Sequence, residues 1–247
     1  MIVCVPSPGT IYVRRWSRFF TRILTLRGGH VREWSSAAVT PLSLGSLFRG
    51  AAYTVLETLQ SAQGNAFEWV RLYTDPMFAL LEAVAAHGHG GAVIVVPETE
   101  AKTGTWRNAV RIKYACDDST MWPELLLAAK AFDVGSHDHP EVARAQILLE
   151  RKIGDAARLT CVDGALVISD HFRILGFGAE VVGSTEVHPQ VWQDGRLINV
   201  ERYGTRHRSA FRFCAACPTA VAFVCSQDGG IKCVHTNADA RVCLLAD

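Results

Sequence analysis

The chain has 247 residues, of which 49% are hydrophobic and 20% charged, and its 25 basic and 24 acidic side chains leave a net charge of +1. Such a chain can bury a large core in one domain or two small ones, and its balanced charge excludes a strongly basic protein that binds nucleic acid through its overall field. No apolar run approaches the ~18 residues that a transmembrane helix needs, so we expect a cytoplasmic protein without a transmembrane segment.

The first fifty residues carry an uneven charge, with seven arginines against a single acid, Glu33. Segment 11–26, "IYVRRWSRFFTRILTL", predicts a helix with Phe19 and Phe20 on one side and most of its arginines on another. A basic amphipathic helix of this kind could make peripheral contact with an anionic membrane, dock on a partner, or belong to an extension that packs locally. We assign residues 1–60 to a basic N-terminal extension and linker, with a sensory or docking role as one alternative.

The next part of the chain is typical of an α/β protein. Two helices and then two strands are predicted, at 51–62, 74–88, 91–98 and 108–115. The second helix begins near Thr74 or Asp75, places Pro76 in its first turn and ends at Gly88. The first strand is short and rich in β-branched residues, which indicates a buried central strand, whereas the second alternates and has one solvated face.

Two further helices are predicted at 122–133 and 140–159, the second with Pro140 in its first turn. After them the chain returns to strands with one intervening helix. The segments are strands at 165–169 and 172–181, a turn and short strand within 193–200, a helix at 205–216, and strands at 219–226 and 231–236. Several neighbouring strands are joined by turns, such as Asp170-His171, rather than by helices. The fold class is therefore α/β, with a mixed central β-sheet flanked by helices.

Three patterns suggest metal or redox chemistry and have simpler explanations. "CAAC" at 214–217 suits a redox pair or half a zinc site, but no second pair with comparable spacing completes four ligands. "HGHGG" at 87–91 and "SHDHP" at 136–140 are typical of a helix end and of a loop with a helix cap. Several of the eight cysteines lie in apolar, strand-like runs, so we expect free thiols in a reducing cytoplasm. A thiol or metal protein using Cys214 and Cys217 remains an alternative.

The stretch "GTRHRSA" at 204–210 predicts a phosphate site at the start of a helix. Gly204 permits a sharp turn, and Thr205 offers a hydroxyl and a candidate N-cap. Arg206, His207 and Arg208 would then lie in the first turn, where free backbone N–H groups and the helix dipole favour an anion. Two guanidinium groups added to that arrangement suit a di- or triphosphate. The alternative is a solvated row of surface charges.

A second short stretch, "VDGALVIS" at 162–169, places an aspartate at the start of a strand. Asp163 is followed by Gly164 and Ala165, whose small size leaves open space beside the carboxylate. This suits an aspartate that coordinates Mg²⁺ or Mn²⁺ while a nucleotide lies against the two small residues. Taken alone, Asp-Gly is also an ordinary turn signal.

Together, "VDGALVIS", "GTRHRSA" and "AVAFVCSQDGGIKCV" resemble the diadenylate cyclase (DAC) family, whose motifs Asp-Gly-Ala and Arg-His-Arg occur in this order. The resemblance implies a DAC-like domain over 61–247, with a helical insertion at about 116–157 that compact members lack. At the late turn, Ser226-Gln227-Asp228 stands where the family has Ser-Glu-Glu. Gln227 lacks the charge of the first glutamate, and Asp228 retains an acid one methylene shorter than the second.

The resemblance implies that two ATP molecules are joined into cyclic di-AMP by a self-associated protein, either a dimer or a larger assembly. It implies Mg²⁺, Mn²⁺ or a similar ion as cofactor, held by Asp163 and Asp228. The residues expected to act on the triphosphate are Arg206, His207 and Arg208, and those expected to contact the nucleotide are Gly164, Ala165, Val181, Gly204, Thr205, Ser226 and Gln227. A catalytically weak or inactive nucleotide sensor is the chief alternative, and Gln227 favours it.

Overall fold

The chain opens with four short strands that form an antiparallel meander. They are β1 Ile2–Ser7, β2 Thr10–Arg15, β3 Thr21–Arg27 and β4 His30–Glu33. The helix expected over 11–26 is therefore wrong, because β2 and β3 occupy both ends of that segment. β-Branched residues such as Ile11, Val13 and Ile23 favour extended backbone, and they outweigh the helical spacing of the apolar positions.

A ten-stranded mixed sheet organises the rest of the chain. The computed structural model describes residues 2–7, 10–15, 21–27, 30–33, 47–57, 66–116, 119–133, 140–182, 189–226 and 230–245. The strands of the large sheet are β5 Gly91–Val96, β6 Val110–Arg111, β7 Tyr114–Ala115, β8 Ala165–Ser169, β9 Ile174–Val181, β10 Val191–Gln193, β11 Arg196–Ile198, β12 Val221–Cys225, β13 Ile231–Thr236 and β14 Val242–Leu245.

The strand order is β11-β10-β14-β13-β12-β5-β8-β9-β6, with β7 also paired to β9. β5 and β8 run parallel, as do β10 and β14, and the other pairs are antiparallel. The mixed sheet expected from the sequence is thus confirmed. The strand expected over 108–115 is divided into β6 and β7, and β14 was not predicted.

Helices cover both faces of this sheet. They are α1 Arg49–Glu57, α2 Ala66–Ala86, α3 Glu98–Thr103, α4 Trp122–Asp133, α5 Pro140–Arg158 and α6 Thr205–Ala216. Residues of α1, α2, α4 and α5 share one core with Val93, Leu166 and Phe223 of the sheet. α3 and α6 share a second core with the opposite face of the same strands. The helix expected at 122–133 is confirmed at both ends.

Helix α2 departs from the expected start near Thr74. It begins at Ala66 and contains Pro76 in its interior. Proline removes one backbone donor inside a helix and usually kinks or ends it. Here the surrounding residues Leu72, Tyr73 and Met77 are fully buried in the core, and that packing maintains the helix through the proline.

Candidate functional site

A cavity of about 710 Å³ lies between the N-terminus of α6 and the large sheet. It combines the two stretches that the sequence singled out, although they are far apart along the chain. Its lining residues come from five elements and the segments beside them: Ala92, Ile94, Asp163, Gly164, Ala165, Ala179, Glu180, Val181, Gly204, Thr205, Arg206, His207, Ser209, Ala210, Ala222, Val224, Cys225 and Ser226.

The aspartate corner of the cavity depends on a close approach of two backbone segments. Gly164 has φ +113°, a region that side chains rarely adopt. A Cβ atom at this position would lie 2.5 Å from the carbonyl carbon of Gly178 and 2.7 Å from the amide nitrogen of Ala179. Glycine is therefore required for β9 to pass this closely. Asp163, just before it, is exposed and lines the cavity.

The opposite wall is the first turn of α6. Gly204 is the N-cap residue, so the assignment of the cap to Thr205 is wrong, and Thr205 is the first helical residue. Because glycine has no side chain, it accepts no hydrogen bond from the first backbone N–H groups of the helix. Gly204 and the three residues that follow it all line the cavity. Unsatisfied N–H groups, the positive end of the helix dipole and the Arg206 guanidinium thus favour an anion there.

His207 is held neutral at this wall. Burial of the imidazole, together with the nearby positive charge of Lys232, lowers the pKa of His207 to about 4. Its ring lies 5.4 Å from the ring of Tyr203, and its Nε2 atom is buried without a hydrogen-bond partner among the described residues. A neutral imidazole with a free ring nitrogen can exchange a hydrogen bond with a ligand but adds no charge.

Arg208 differs from Arg206. It is not among the residues that line the cavity, and its Nη1 atom lies 3.7 Å from Oε2 of Glu201. Its Nε atom is buried and has no hydrogen-bond partner among the described residues. The structure therefore brings one of the two arginines of the motif to the cavity and turns the other toward a neighbouring carboxylate.

Five alanines form the floor of the cavity, and of these five only Ala165 was predicted from the sequence. Ala165 of β8 pairs with Ala179 of β9, while Ala92 and Ala222 belong to the central strands β5 and β12, and Ala210 of α6 faces them. Alanine at all five positions leaves room that larger residues would fill. No local pattern marks these positions, since each element contributes one alanine and the alanines meet only through the strand order.

A second acid at the cavity was also missed. Glu180 of β9 receives Nη2 of Arg111 at 2.6 Å and Nζ of Lys113 at 2.8 Å. Hydrogen bonds from Arg111 and then Lys113 lower the pKa of Glu180 to about 2. This carboxylate is ionised and already engaged, so Asp163 is the cavity's more available metal ligand among the described residues.

The remaining predicted residues fall into two groups. Val181 and Ser226 line the cavity, whereas Gln227 and Asp228 lie outside the described residues. Without Gln227 and Asp228, the available metal ligand that the described lining of the cavity offers is the carboxylate of Asp163. Mg²⁺ in nucleotide sites takes one or two carboxylates plus substrate phosphates and water, so the single open carboxylate of Asp163 fits such an ion once a triphosphate is bound.

The zinc and redox alternative finds little support in the described residues. They contain no group of three or more His, Cys, Asp or Glu side chains that could hold a metal ion. Cys214 and Cys217 are buried free thiols, and burial raises the pKa of both. The Cys214 thiol donates to the carbonyl oxygen of Val234, which is typical of a packed, unreactive cysteine.

No protein-family model and no curated protein matches this chain. Among the helices of the described segments, none combines the length and the apolar character needed to cross a lipid bilayer.

Proposed function

We propose that the protein is a diadenylate cyclase that condenses two ATP molecules into cyclic di-AMP and two pyrophosphates. The observation that carries the proposal is that Asp163 and Arg206, from two distant motifs, line one cavity. A carboxylate for a divalent ion and a guanidinium at a helix N-terminus are the groups that a nucleoside triphosphate requires.

The cavity has an apolar part and a positively charged part, which suit the adenine ring and the triphosphate of a nucleotide. Small apolar side chains of the floor, such as Ala92 and Ala222, offer a flat surface on which an adenine ring can lie. The triphosphate would extend to the first turn of α6, where backbone N–H groups and Arg206 neutralise its charge. Thr205 would add a hydroxyl donor, and the free Nε2 of His207 would complete the phosphate contacts.

The reaction joins the 3′-hydroxyl oxygen of one ATP to the α-phosphorus of the other, and the bond from that phosphorus to pyrophosphate breaks. A second, equivalent step closes the ring. In such phosphoryl transfer the protein contributes mainly alignment and neutralisation of developing charge. A bound divalent ion would supply Lewis-acid stabilisation of the phosphate oxygens and favour loss of the hydroxyl proton. Asp163 would hold it, and Arg206 would bind the departing pyrophosphate.

The symmetry of the product requires two cavities to face each other. Each cavity would hold one ATP, and each nucleotide would present its 3′-hydroxyl to the α-phosphate of the other. A two-fold, isologous pair of subunits meets this requirement. A single protomer should therefore bind ATP without making product.

The experiment is incubation of the purified full chain with ATP and Mn²⁺, followed by chromatographic detection of cyclic di-AMP. Asp163→Asn should reduce product formation by about 1,000-fold while retaining most ATP binding, because it removes the metal-holding charge and little of the phosphate site. Asp155→Asn, an exposed aspartate on α5 that pairs with Arg158, is the matched control and should retain full activity.

A nucleotide sensor is the second candidate, and the orientation of Arg208 favours it. A site with only one of its two motif arginines at the cavity would bind the triphosphate but give less stabilisation to departing pyrophosphate. ATP binding without product under Mn²⁺, Mg²⁺ and Co²⁺ would support the sensor and contradict the cyclase. Cyclic di-AMP that is formed by the unaltered protein and lost in Asp163→Asn would support the cyclase and contradict the sensor.

A further inference from the structure

Lys232 belongs to a row of residues that crosses the large sheet beneath the cavity. Val224 of β12 is paired with Ala92 of β5 on one side and with Lys232 of β13 on the other. Ala165 of β8 continues the row next to Ala92, in the parallel pair of strands. Residues that lie opposite each other on neighbouring strands point to the same face of a sheet. Since the two alanines and Val224 line the cavity, Lys232 lies on the cavity's face of the sheet, one strand further out.

The Lys232 ammonium lies over an aromatic ring. Its Nζ atom is 5.5 Å from the centroid of the Tyr203 ring. Phe211 packs edge-on against that ring, and Oη of Tyr203 donates to Oε1 of Gln193 at 3.4 Å, so the ring is fixed from two sides. Within the part of the chain that the structure describes, no carboxylate forms an ion pair with Lys232. A cation–π contact uses none of the three N–H donors strongly, and they stay available to a ligand.

Tyr203 connects this lysine to the first turn of α6. The Tyr203 ring lies 5.4 Å from the ring of His207, which lines the cavity. Lys232 therefore adds a positive charge near the helix end where the backbone N–H groups, the helix dipole and Arg206 already favour an anion. Positive groups placed together in this way repel one another unless a negative charge lies among them. The arrangement indicates a ligand with several negative charges, such as a chain of phosphates.

We propose that Lys232 is a further phosphate-binding residue of the cavity and makes the site select a triphosphate over a monophosphate. The inference rests on the phosphate-binding half of the proposed function and not on turnover. Strands β5 and β12 separate β13 from β8, which begins beside Asp163, so Lys232 would bind the phosphates farthest from Asp163. The ammonium would exchange the Tyr203 ring for phosphate oxygens, because a charge-assisted hydrogen bond to phosphate is stronger than a cation–π contact.

The test measures the binding of inorganic tripolyphosphate, a non-hydrolysable ATP analogue and AMP to the purified full chain by isothermal titration calorimetry. Lys232→Met should weaken the binding of tripolyphosphate and of the ATP analogue by about tenfold, because one charge-assisted contact is lost, and should leave AMP affinity within about twofold. Lys232→Arg should retain most of the affinity for both triphosphates. Thermal unfolding of each variant checks that the fold is intact, and Lys232→Gln, a second neutral variant, should show the same loss as Lys232→Met.

Arg241→Met is the matched control. The Arg241 guanidinium also lies over an aromatic ring, 4.7 Å from the centroid of Trp192, and the substitution also removes one positive charge. Arg241 precedes β14 at the opposite end of β13 from Lys232, since Val242 is paired with Thr236. Its variant should keep tripolyphosphate affinity within about twofold. Equal losses in the two methionine variants would show an effect of net charge alone and would overturn the proposal, as would unchanged tripolyphosphate affinity in Lys232→Met.

These outcomes are separate from the fate of the proposed cyclase activity, because tripolyphosphate carries no adenosine and cannot be cyclised. Tripolyphosphate binding that depends on Lys232, in a protein that makes no cyclic di-AMP, would retain this inference and overturn the cyclase. Formation of cyclic di-AMP, with equal tripolyphosphate affinity in the unaltered protein and in Lys232→Met, would overturn this inference and retain the cyclase. Failure of the unaltered protein to bind tripolyphosphate would overturn the inference whatever the activity.

Discussion

The two faces of the central sheet are built from the same strands and have different contents. On one face, Val93 and Phe223 pack with four helices into a filled core. On the other, Ala92, Ala165 and Ala222 face the first turns of α6 and leave a cavity. Because alternate residues of a strand point to opposite faces, one strand can contribute a packed core and an open site at the same time.

We expect this difference to separate the residues that stabilise the fold from those that would bind a ligand. The filled face carries the large apolar side chains whose burial stabilises the fold. The other face carries a second buried core, which includes Trp106, Phe211 and Phe213, and beside that core a cavity lined by small residues and by charged groups at its rim. Substitutions in either core, or at the close backbone approach of Gly164, should change the free energy of unfolding, and substitutions that fill the cavity or remove its charges should change ligand affinity.

The largest effect on the comparison is expected from the glycine that permits the close approach. Gly164→Ala should lower the free energy of unfolding by about 3 kcal/mol, since the new Cβ meets backbone atoms and the backbone conformation is unfavourable for alanine. Gly154→Ala in α5, where nothing lies within 4 Å of a new Cβ, is the control. It should stabilise the protein by about 0.5–1 kcal/mol. Denaturant titration measures both, and equal values for the two would contradict the account.

Filling the open face should abolish most binding. Ala222→Leu places a large side chain in the cavity and should weaken the binding of a fluorescent ATP analogue by about 100-fold, because the space for the ring is lost. Phe223→Leu, one residue along on the filled face, should instead lower the free energy of unfolding by about 1–2 kcal/mol and leave analogue affinity within about twofold. An unchanged affinity in Ala222→Leu would show that the nucleotide binds elsewhere.

The two motif arginines in the first turn of α6 should differ in effect, since Arg206 lines the cavity and Arg208 does not. Arg206→Ala should weaken analogue binding by about 30-fold, the loss of a charge-assisted contact to phosphate. Arg208→Ala should weaken it by about threefold, because its guanidinium lies near Glu201 and contributes only through its field. The same fluorescence titration compares them, and a larger loss in the Arg208 variant would mean that the arginine reorients toward the ligand.

The smallest effect concerns His207 and pH. Its pKa is lowered to about 4 in the folded protein, whereas an unfolded histidine has a pKa near 6.5. Between these values the unfolded chain binds more protons, so the folded state loses stability as pH falls through this window. His207→Gln should remove about 1 kcal/mol of this pH dependence, after allowance for partial exposure. Denaturant titrations of both proteins at pH 7 and pH 4.5 measure this, and the free energy of unfolding should fall less in His207→Gln than in the unaltered protein. An equal fall in both proteins would show that His207 is not buried as described.

Sequence patterns were sufficient to predict those helices and strands that are specified by residues close together in sequence. The apolar run of β5 and the periodic apolar segment of α4 are specified by neighbouring residues, and the structure has both. The start of α2 was not predictable from local signals, because Pro76 normally marks a first turn and only burial of Leu72 and Tyr73 in the core overrides it. The N-terminal strands were not predicted because segment 11–26 carries two conflicting local signals. Its apolar residues have helical spacing, whereas its β-branched residues favour the strands that form.

The candidate site divides in the same way. Asp163 and Arg206 could be chosen from short motifs because glycine, charge and helix start lie next to each other in sequence. The alanine floor as a whole and the Lys113–Glu180 pair could not be predicted from short motifs. Their members come from different elements and meet only through the strand order. Pairing of β6 and β7 with β9 brings Lys113 to Glu180, and no local pattern predicts that register.

The central claim is that one nucleoside triphosphate spans the cavity from the alanine floor to the first turn of α6. The most direct measurement is a crystal structure with a non-hydrolysable ATP analogue and Mn²⁺, using the anomalous signal of manganese. We expect the adenine against Ala92 and Ala222, the phosphates at Thr205 and Arg206, and manganese at Asp163. Analogue bound outside this cavity, or manganese away from Asp163, would contradict it.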